Sequence, residues 1–163
     1  IILALALSYL ERLLPIDILI GVPGIRLGLA NIISLFALYY MNLPTTFGIL
    51  LVRCILSTLL FGVFTSFVFS ITGGIFSILI MYFLRRQFAS RVSLLGLSVA
   101  GAATHHVGQI LAAMLIFQSI SVASYLPFLL LLSIPIGLLT GFFSLLTFNR
   151  LEKIKLVNTT QKR

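Results

Sequence analysis

Charged residues are scarce in this chain. Only 9% of its 163 residues are Asp, Glu, Lys or Arg, whereas 60% are hydrophobic. Soluble domains usually carry about 25% charged and about 45–50% apolar residues. The scarcity excludes an ordinary soluble protein, and we expect the chain to lie in a lipid bilayer.

Acidic residues and cysteine are the scarcest of the chemically active types. Three Asp or Glu stand against eleven Lys or Arg, but the basic residues lie within apolar runs or beside their ends, a pattern typical of membrane topology signals rather than of nucleic-acid binding. The single cysteine, Cys54, permits no internal disulfide. Two adjacent histidines without a nearby Cys, Asp or Glu do not supply the ligands of a zinc site. We therefore expect no nucleic-acid partner, no metal and no cofactor.

Motifs of common enzyme classes are absent. The sequence has no Gly-x4-Gly-Lys-Ser/Thr phosphate loop, no His-Glu-x2-His and no Gly-x-Ser-x-Gly. No acidic residue lies deep in an apolar run, which argues against a transporter coupled to ions through a buried carboxylate. We predict that the chain is not an enzyme and has no catalytic residues. Any transport would then depend on energy that another subunit supplies.

Apolar runs bounded by Pro, Gly and charges predict an all-α bundle of six transmembrane helices. A membrane-spanning helix takes about 20 residues, so six fit into this length with short connections. The period-two alternation of a membrane barrel is absent. We predict one domain over residues 1–150 and a basic tail at 151–163. The predicted spans are about 1–14, 27–41, 44–62, 67–84, 92–117 and 126–148.

Basic residues predict the orientation of these spans. Arg85, Arg86 and Arg91 lie between the fourth and fifth spans, and Arg150 with the basic tail follows the sixth. With six spans, both stretches fall on the same side of the membrane. Because cytoplasmic loops carry the excess of Lys and Arg, both termini are predicted to be cytoplasmic.

Polar residues within the spans predict a binding pocket that opens to the outside. At ~1.5 Å per residue they lie between the membrane midplane and the outer surface, where ionisable groups usually face a cavity or a partner. Cations outnumber acids there, which favours a small anionic or strongly hydrogen-bonding ligand. The predicted substrate-binding residues are Arg26, Asn31, Arg53, His105, His106 and Gln109.

Structural roles are the alternatives for some of these residues. Arg53 has Glu11 as an alternative partner, and Arg26 could close its loop on Asp17. His105 shares a helix face with Gln109, and His106 lies one turn from Gln109 on its other side. Adjacent residues on a helix point in different directions, so one of the two histidines is expected to be a packing residue.

Two further features predict moving or docking parts. Pro23-Gly24 suits the central positions of a type II turn, and we interpret the apolar loop around it as a hinged lid, with a re-entrant packing loop as the alternative. Ala4 and Ser8 place small residues four apart, which suits either a partner protein or a contact inside the bundle. Similar small-residue stripes in the last three spans predict that these helices form the tightest packing.

Four stretches of the sequence carry a resemblance. They read ERLLP at 11–15, GIRLGLANI at 24–32, SITGG at 70–74 and SVAGAATHHVGQ at 98–109. These stretches resemble the Gx transporter family, also labelled heptaprenyl diphosphate synthase component I, which is similar to the substrate-binding S-components of energy-coupling factor (ECF) transporters. His106 stands where the usual run of that family has Asn.

The resemblance implies a six-helix S-component in a prokaryotic plasma membrane. Such a subunit captures a vitamin-like or precursor molecule from outside and docks on a membrane coupling protein with two cytoplasmic ATPases; Ala4 and Ser8 would meet the coupling protein. The synthase label implies aspartate-rich motifs for magnesium diphosphate, but the chain has a single Asp, Asp17. The alternative functions are a non-transporting membrane subunit of an isoprenoid-quinone or flavin-dependent electron-transfer system, and a small transporter that works alone as a dimer.

Overall fold

The computed structural model describes residues 2–13, 29, 31–61, 64–88 and 91–160, and within them the side chains of all but residues 12, 61 and 151–160. This part of the chain is helical and contains no strand, in agreement with the predicted all-α class. A short 3-10 helix, Ile120–Tyr125, precedes the last α-helix. The α-helices are α1 (Ile2–Leu13), α2 (Asn31–Tyr40), α3 (Leu43–Phe61), α4 (Phe64–Gln87), α5 (Leu94–Phe117) and α6 (Leu126–Thr160).

Helices α3 to α6 are long and apolar enough to cross a membrane, with mean hydropathies from 1.4 to 2.2 in their best windows. Much of their surface is also apolar: Leu59 and Leu115, for example, are 77% and 80% exposed. Such a surface is stable against lipid and costly against water. Helices α1 and α2 are apolar but shorter. The chain is therefore a multi-pass membrane protein whose outer surface contacts the bilayer.

Two helix boundaries differ most from the predicted spans. Helix α2 begins at Asn31 instead of 27, and its ten residues reach only about 15 Å, half of a bilayer's hydrocarbon core. Helix α6 continues to Thr160 instead of ending at 148. No Pro or Gly follows Gly141, and Leu, Glu and Lys in the basic tail are good helix formers, so nothing in the sequence ends the helix there.

Small residues bring α4, α5 and α6 into close contact, as their stripes predict. A methyl group added at Gly108 of α5 would lie 2.9 Å from the Cα of Gly73 in α4. One added at Gly137 of α6 would lie 2.5 Å from the Cα of Val99 in α5. Because backbone lies on both sides of these contacts, only glycine permits the observed helix separation.

Two polar contacts fix α2 alongside α4. The amide of Asn31 donates to Ser77 Oγ at 2.6 Å. At the other end, the Arg85 guanidinium donates to the carbonyls of Leu38 and Tyr39 and lies 4.1 Å from the centre of the Tyr39 ring. Arg85 thus satisfies carbonyls that the end of α2 leaves without helical partners. Helix α2 therefore runs parallel to α4, from the middle of the bundle to one end.

We call that end the basic end. It holds Arg85 and Arg86 at the end of α4, Arg91 before α5 and Arg150 in α6. Helix α4 runs towards the basic end and α5 away from it, because Gly101 packs near Met81 whereas Gly108 packs near Gly73. Helix α6 runs back towards it, with Ser98 of α5 bonded to Thr140 at 2.7 Å.

Candidate functional site

The predicted site residues in the described part of the chain are buried in the bundle. Asn31 lies in α2, Arg53 in α3, and the two histidines and Gln109 in α5. Their exposed fractions are 8% for Asn31, 6% for Arg53, 3% for His105 and 0% for both His106 and Gln109. Arg26 and the predicted lid residues Pro23 and Gly24 lie outside the described residues.

His105 and Gln109 form a pair on one face of α5, as their spacing predicts. Gln109 Nε2 lies 3.0 Å from His105 Nε2. The imidazole lies against the backbone of α4, where a methyl group on Gly73 would be 2.8 Å from His105 Nδ1. Gly73 therefore makes the space that this histidine occupies, and the pair lies at the contact between α4 and α5.

His106 points to another side of α5 and is fully buried. Its ring lies edge-on to His105, with 6.0 Å between the ring centres. Among the described residues its nitrogens make no hydrogen bond of regular geometry, although the Gln109 side chain interacts with the ring, and Gln109 Oε1 has no hydrogen-bond partner. Buried polar atoms without partners cost free energy. These atoms are thus the parts of α5 best placed to gain from a polar ligand.

Arg53 is a buried cation in the middle of α3. Its Nη2 lies 4.0 Å from Cys54 Sγ, and its Nε has no hydrogen-bond partner within the described ranges. Glu11, the alternative partner considered from sequence, is also buried and accepts the backbone N–H of Leu29. The contact described for this guanidinium is therefore with a thiol, which compensates a buried charge less well than a carboxylate does.

Asn31 lies about one helical turn nearer the basic end than His105 does. Its bond to Ser77 places it on the basic-end side of the middle of α4, whereas His105 packs one turn away at Gly73. Counting from the predicted start at 27 put Asn31 within the outer half. Because α2 begins at Asn31, this residue lies where the helix enters the middle of the bundle, and the placement of the polar residues in the outer half of the membrane stays a prediction.

Helix α4 brings these residues to one level of the bundle. In α4, Gly73 packs on His105 of α5, and Ser77 accepts a hydrogen bond from Asn31 of α2. Between them, Gly74 packs on Leu50 of α3, which lies one turn before Arg53. Three helices thus present polar side chains within about one helical turn of the middle of α4, or roughly 6 Å. We call Asn31, Arg53, His105, His106 and Gln109 the polar cluster.

Two buried serines outside the predicted binding residues, Ser70 of α4 and Ser8 of α1, also carry polar atoms. Ser70, 5% exposed, was counted in the small-residue stripe of α4, and Ser8, 1% exposed, as a docking residue. Neither hydroxyl has a hydrogen-bond partner in the described part of the chain. The sequence does contain a signal for them, because a hydroxyl group inside an apolar run is a polar group as well as a small one.

Ala4 and Ser8 lie inside the bundle in this structure. Ala4 is 0% exposed, and with Ser8 and Glu11 it forms the buried face of α1. This is the alternative that the sequence left open beside docking on a partner. A partner could reach these two residues only after α1 moves, so their docking role stays a prediction.

The described residues contain no group of three His, Cys, Asp or Glu that could hold a metal ion. What they do contain is a bundle of membrane-spanning helices with buried polar side chains at about one level of the bundle. This combination defines a multi-pass membrane protein with an internal polar site.

The chain matches the family model described as heptaprenyl diphosphate synthase component I over residues 1–146. It belongs to this family, which is also called Gx transporter-like, and the predicted resemblance is confirmed. No curated protein and no solved structure matches the chain.

Proposed function

We propose that this chain is the membrane substrate-binding component of an ECF-type importer in a prokaryotic plasma membrane. It captures a small anionic molecule, vitamin-like or a precursor, from outside, and both termini are cytoplasmic. Family membership, the helical bundle and the buried polar cluster support this proposal. The basic end is then the cytoplasmic end, since cytoplasmic ends carry the excess of Lys and Arg.

Arg53 is the observation that carries the proposal. A charged side chain at the centre of a membrane helix costs about 2.5–3.5 kcal/mol on insertion scales. The described contact, a thiol at 4.0 Å, offsets little of that cost. A carboxylate or phosphate would accept short charge-assisted hydrogen bonds from the guanidinium. An anionic ligand therefore explains both the position of Arg53 and its weak partner.

The side chains of α5 suit the uncharged part of such a ligand. The carbonyl oxygen of Gln109 offers an acceptor that the described residues leave without a hydrogen bond, and the His106 ring, which interacts with the Gln109 side chain, lies beside it. His105 holds the Gln109 amide nitrogen. In this proposal His106 and Gln109 contact the ligand, whereas His105 orients Gln109. Arg26, at the entrance to the second predicted span, and the Pro23-Gly24 lid would close the outer side.

The proposal assigns no catalysis to this chain. The family label names a synthase component, and prenyl synthases bind magnesium diphosphate through several aspartates. The single Asp of this sequence, Asp17, does not make such a motif. A synthase activity would have to reside in another subunit.

Energy for import would come from partners. The sequence has no phosphate loop, so we propose a membrane coupling protein and two cytoplasmic ATPases. Docking through Ala4 and Ser8 then requires α1 to shift from its place in the bundle, because both residues are buried by this chain.

The test is mass spectrometry of small molecules released from gently purified protein, together with identification of copurifying proteins. We expect a stoichiometric anionic metabolite and ATPase subunits with the unaltered chain. Arg53→Gln should lose the metabolite, whereas the exposed control Arg91→Gln should keep it. Size-exclusion chromatography checks that both variants fold. A redox or prenyl enzyme as partner, with no bound metabolite, would favour the accessory-subunit alternative instead.

A further inference from the structure

A cavity separate from the polar cluster lies along α2. Its volume is about 320 Å³, and α1, α2, α3 and α6 form its walls. None of the predicted substrate-binding residues in the described ranges lines it. The lining residues are Leu3, Ile32, Ile33, Phe36, Ala37, Met41, Ile49, Ser144 and Thr147.

The position of α2 gives the depth of this cavity, which we call the α2 groove. Its walls extend from Ile32 to Met41, a rise of about 14 Å. Asn31 is bonded at mid-bundle and Leu38 at the basic end. The groove therefore spans one half of the membrane, whose hydrocarbon thickness is about 15 Å. Its length is that of a lipid tail within one leaflet.

The walls of the groove are chemically apolar. Besides aliphatic side chains and Phe36, they include two hydroxyl groups, on Ser144 and Thr147. Both hydroxyls donate at 2.8 Å to carbonyls of their own helix, those of Thr140 and Phe143. Neither donor is left for an occupant, so the walls favour a hydrocarbon chain over a polar metabolite.

A cation lies near the basic-end edge of the groove. Arg150 is exposed and lies three residues after Thr147, about one turn nearer the basic end. Arg86, at the same end of the bundle, is exposed as well. A cation at headgroup depth beside an apolar groove complements a negatively charged lipid.

We propose that the α2 groove binds one acyl chain of an anionic phospholipid from the leaflet at the basic end, with the lipid phosphate beside Arg150. The length of the groove, its apolar walls and the cation near its basic-end edge each support this occupant. A helix of a partner protein is the competing occupant, and the experiment below distinguishes it from a lipid chain.

The test uses the full chain in vesicles that contain a phosphatidylglycerol probe with a photoreactive group on one acyl chain. A phosphatidylcholine probe with the same chain serves as the neutral comparison. After illumination, mass spectrometry of peptides locates the covalent label. We expect label on α2 and on the 144–147 segment of α6, and roughly five-fold more from the anionic probe than from the neutral one.

Variants separate a groove from general lipid contact. Thr147→Trp places a large ring in the groove and should reduce label on α2 at least five-fold. The matched control Leu139→Trp lies on the same helix at a residue that is 48% exposed and does not line the groove, and it should change nothing. Arg150→Gln should remove the preference for the anionic probe, whereas Arg91→Gln should retain it.

Three results would overturn the proposal. Uniform labelling of all lipid-facing helices would show that the groove holds no lipid in particular. Equal labelling by the two probes would show that the groove has no preference for an anionic headgroup. A copurified protein whose presence abolishes the label on α2 would identify the groove as a protein contact. All of these readouts are independent of any substrate bound at the polar cluster.

Discussion

The two sides of this bundle are built differently. Half of the α5 span is buried inside the protein, against 28% of α3. Helices α4, α5 and α6 meet through glycines that allow close backbone contact, such as Gly108 and Gly137. Helix α2 is half as long as a membrane span and is fixed by polar bonds at its two ends.

This difference indicates that one side of the bundle mainly provides tight helix packing, whereas the other side has more room for polar side chains and a cavity. Close backbone contact stabilises helices in lipid, where no hydrophobic effect drives them together. Between the touching backbones it leaves no room for a ligand, so α5 can offer a ligand only side chains such as His106 and Gln109. The side built from α1, α2 and α3 is less tightly packed and holds Arg53, Asn31 and the α2 groove. We therefore expect substitutions in α4 to α6 to affect stability most, and those on the other side to affect binding.

Gly137→Ala should have the largest effect on stability. The added methyl group would lie 2.5 Å from the Cα of Val99, and backbone cannot yield as a flexible side chain can. We expect a loss of about 3 kcal/mol or more in the free energy of unfolding, measured by thermal unfolding in detergent. In the control Gly48→Ala, the methyl group meets nothing within 4 Å. Equal effects of the two changes would contradict the proposed division.

Gly73→Ala should have the second-largest effect on stability, and it should also affect binding. Its methyl group would lie 2.8 Å from the ring nitrogen and the carbonyl oxygen of His105. We expect a loss of about 1–3 kcal/mol in stability and displacement of His105 from Gln109. The released metabolite, measured by mass spectrometry, should fall with it. Gly96→Ala is the control, since its nearest neighbour, Ser93 Oγ, lies at an ordinary 3.4 Å. Unchanged binding in Gly73→Ala would show that the His105–Gln109 pair is not part of the ligand site.

Sequence reasoning predicted the tightly packed side best. Small residues at helical spacing mark close contacts directly, and the stripes that contain Gly101, Gly108 and Gly137 lie where α4, α5 and α6 meet. The pairing of His105 with Gln109 follows in the same way from a spacing of four residues. In both cases the relevant geometry is local to one helix.

The other side depended on information that a helix period does not contain. The start of α2 at Asn31 was missed because apolar residues precede it, so hydropathy gave no boundary. The Asn31 bond to Ser77 joins residues 46 apart, and spacing predicts no such contact. The α2 groove was missed because it is a gap between four helices. A gap arises from the mutual placement of helices, which no single segment of sequence specifies.

The Asn31–Ser77 bond should contribute a smaller amount, testable by a double-mutant cycle. Polar contacts between membrane helices contribute about 0.6 kcal/mol on average and up to about 1.7. The bond is buried and 2.6 Å long, so we expect a coupling energy of about 1 kcal/mol from Asn31→Ala, Ser77→Ala and the double variant. Unfolding in detergent measures each variant. A coupling energy near zero would mean that α2 is held in place by other contacts.

Arg85→Gln should give the smallest effect, and it tests whether the end of α2 is held as its start is. Arg85 donates to the carbonyls of Leu38 and Tyr39 and lies over the Tyr39 ring. Its neighbour Arg86 does not contact α2 in this way; it donates to the hydroxyl of Tyr82 at 3.1 Å. A cation at a helix C-terminus contributes about 0.3–1 kcal/mol. We therefore expect Arg85→Gln to cost up to about 1 kcal/mol and to speed amide hydrogen exchange in α2, because its last carbonyls lose their partner. Arg86→Gln changes the same charge and should leave exchange in α2 unaltered. Equal exchange in the two variants would show that the charge of the basic end, and not the Arg85 contact, fixes α2.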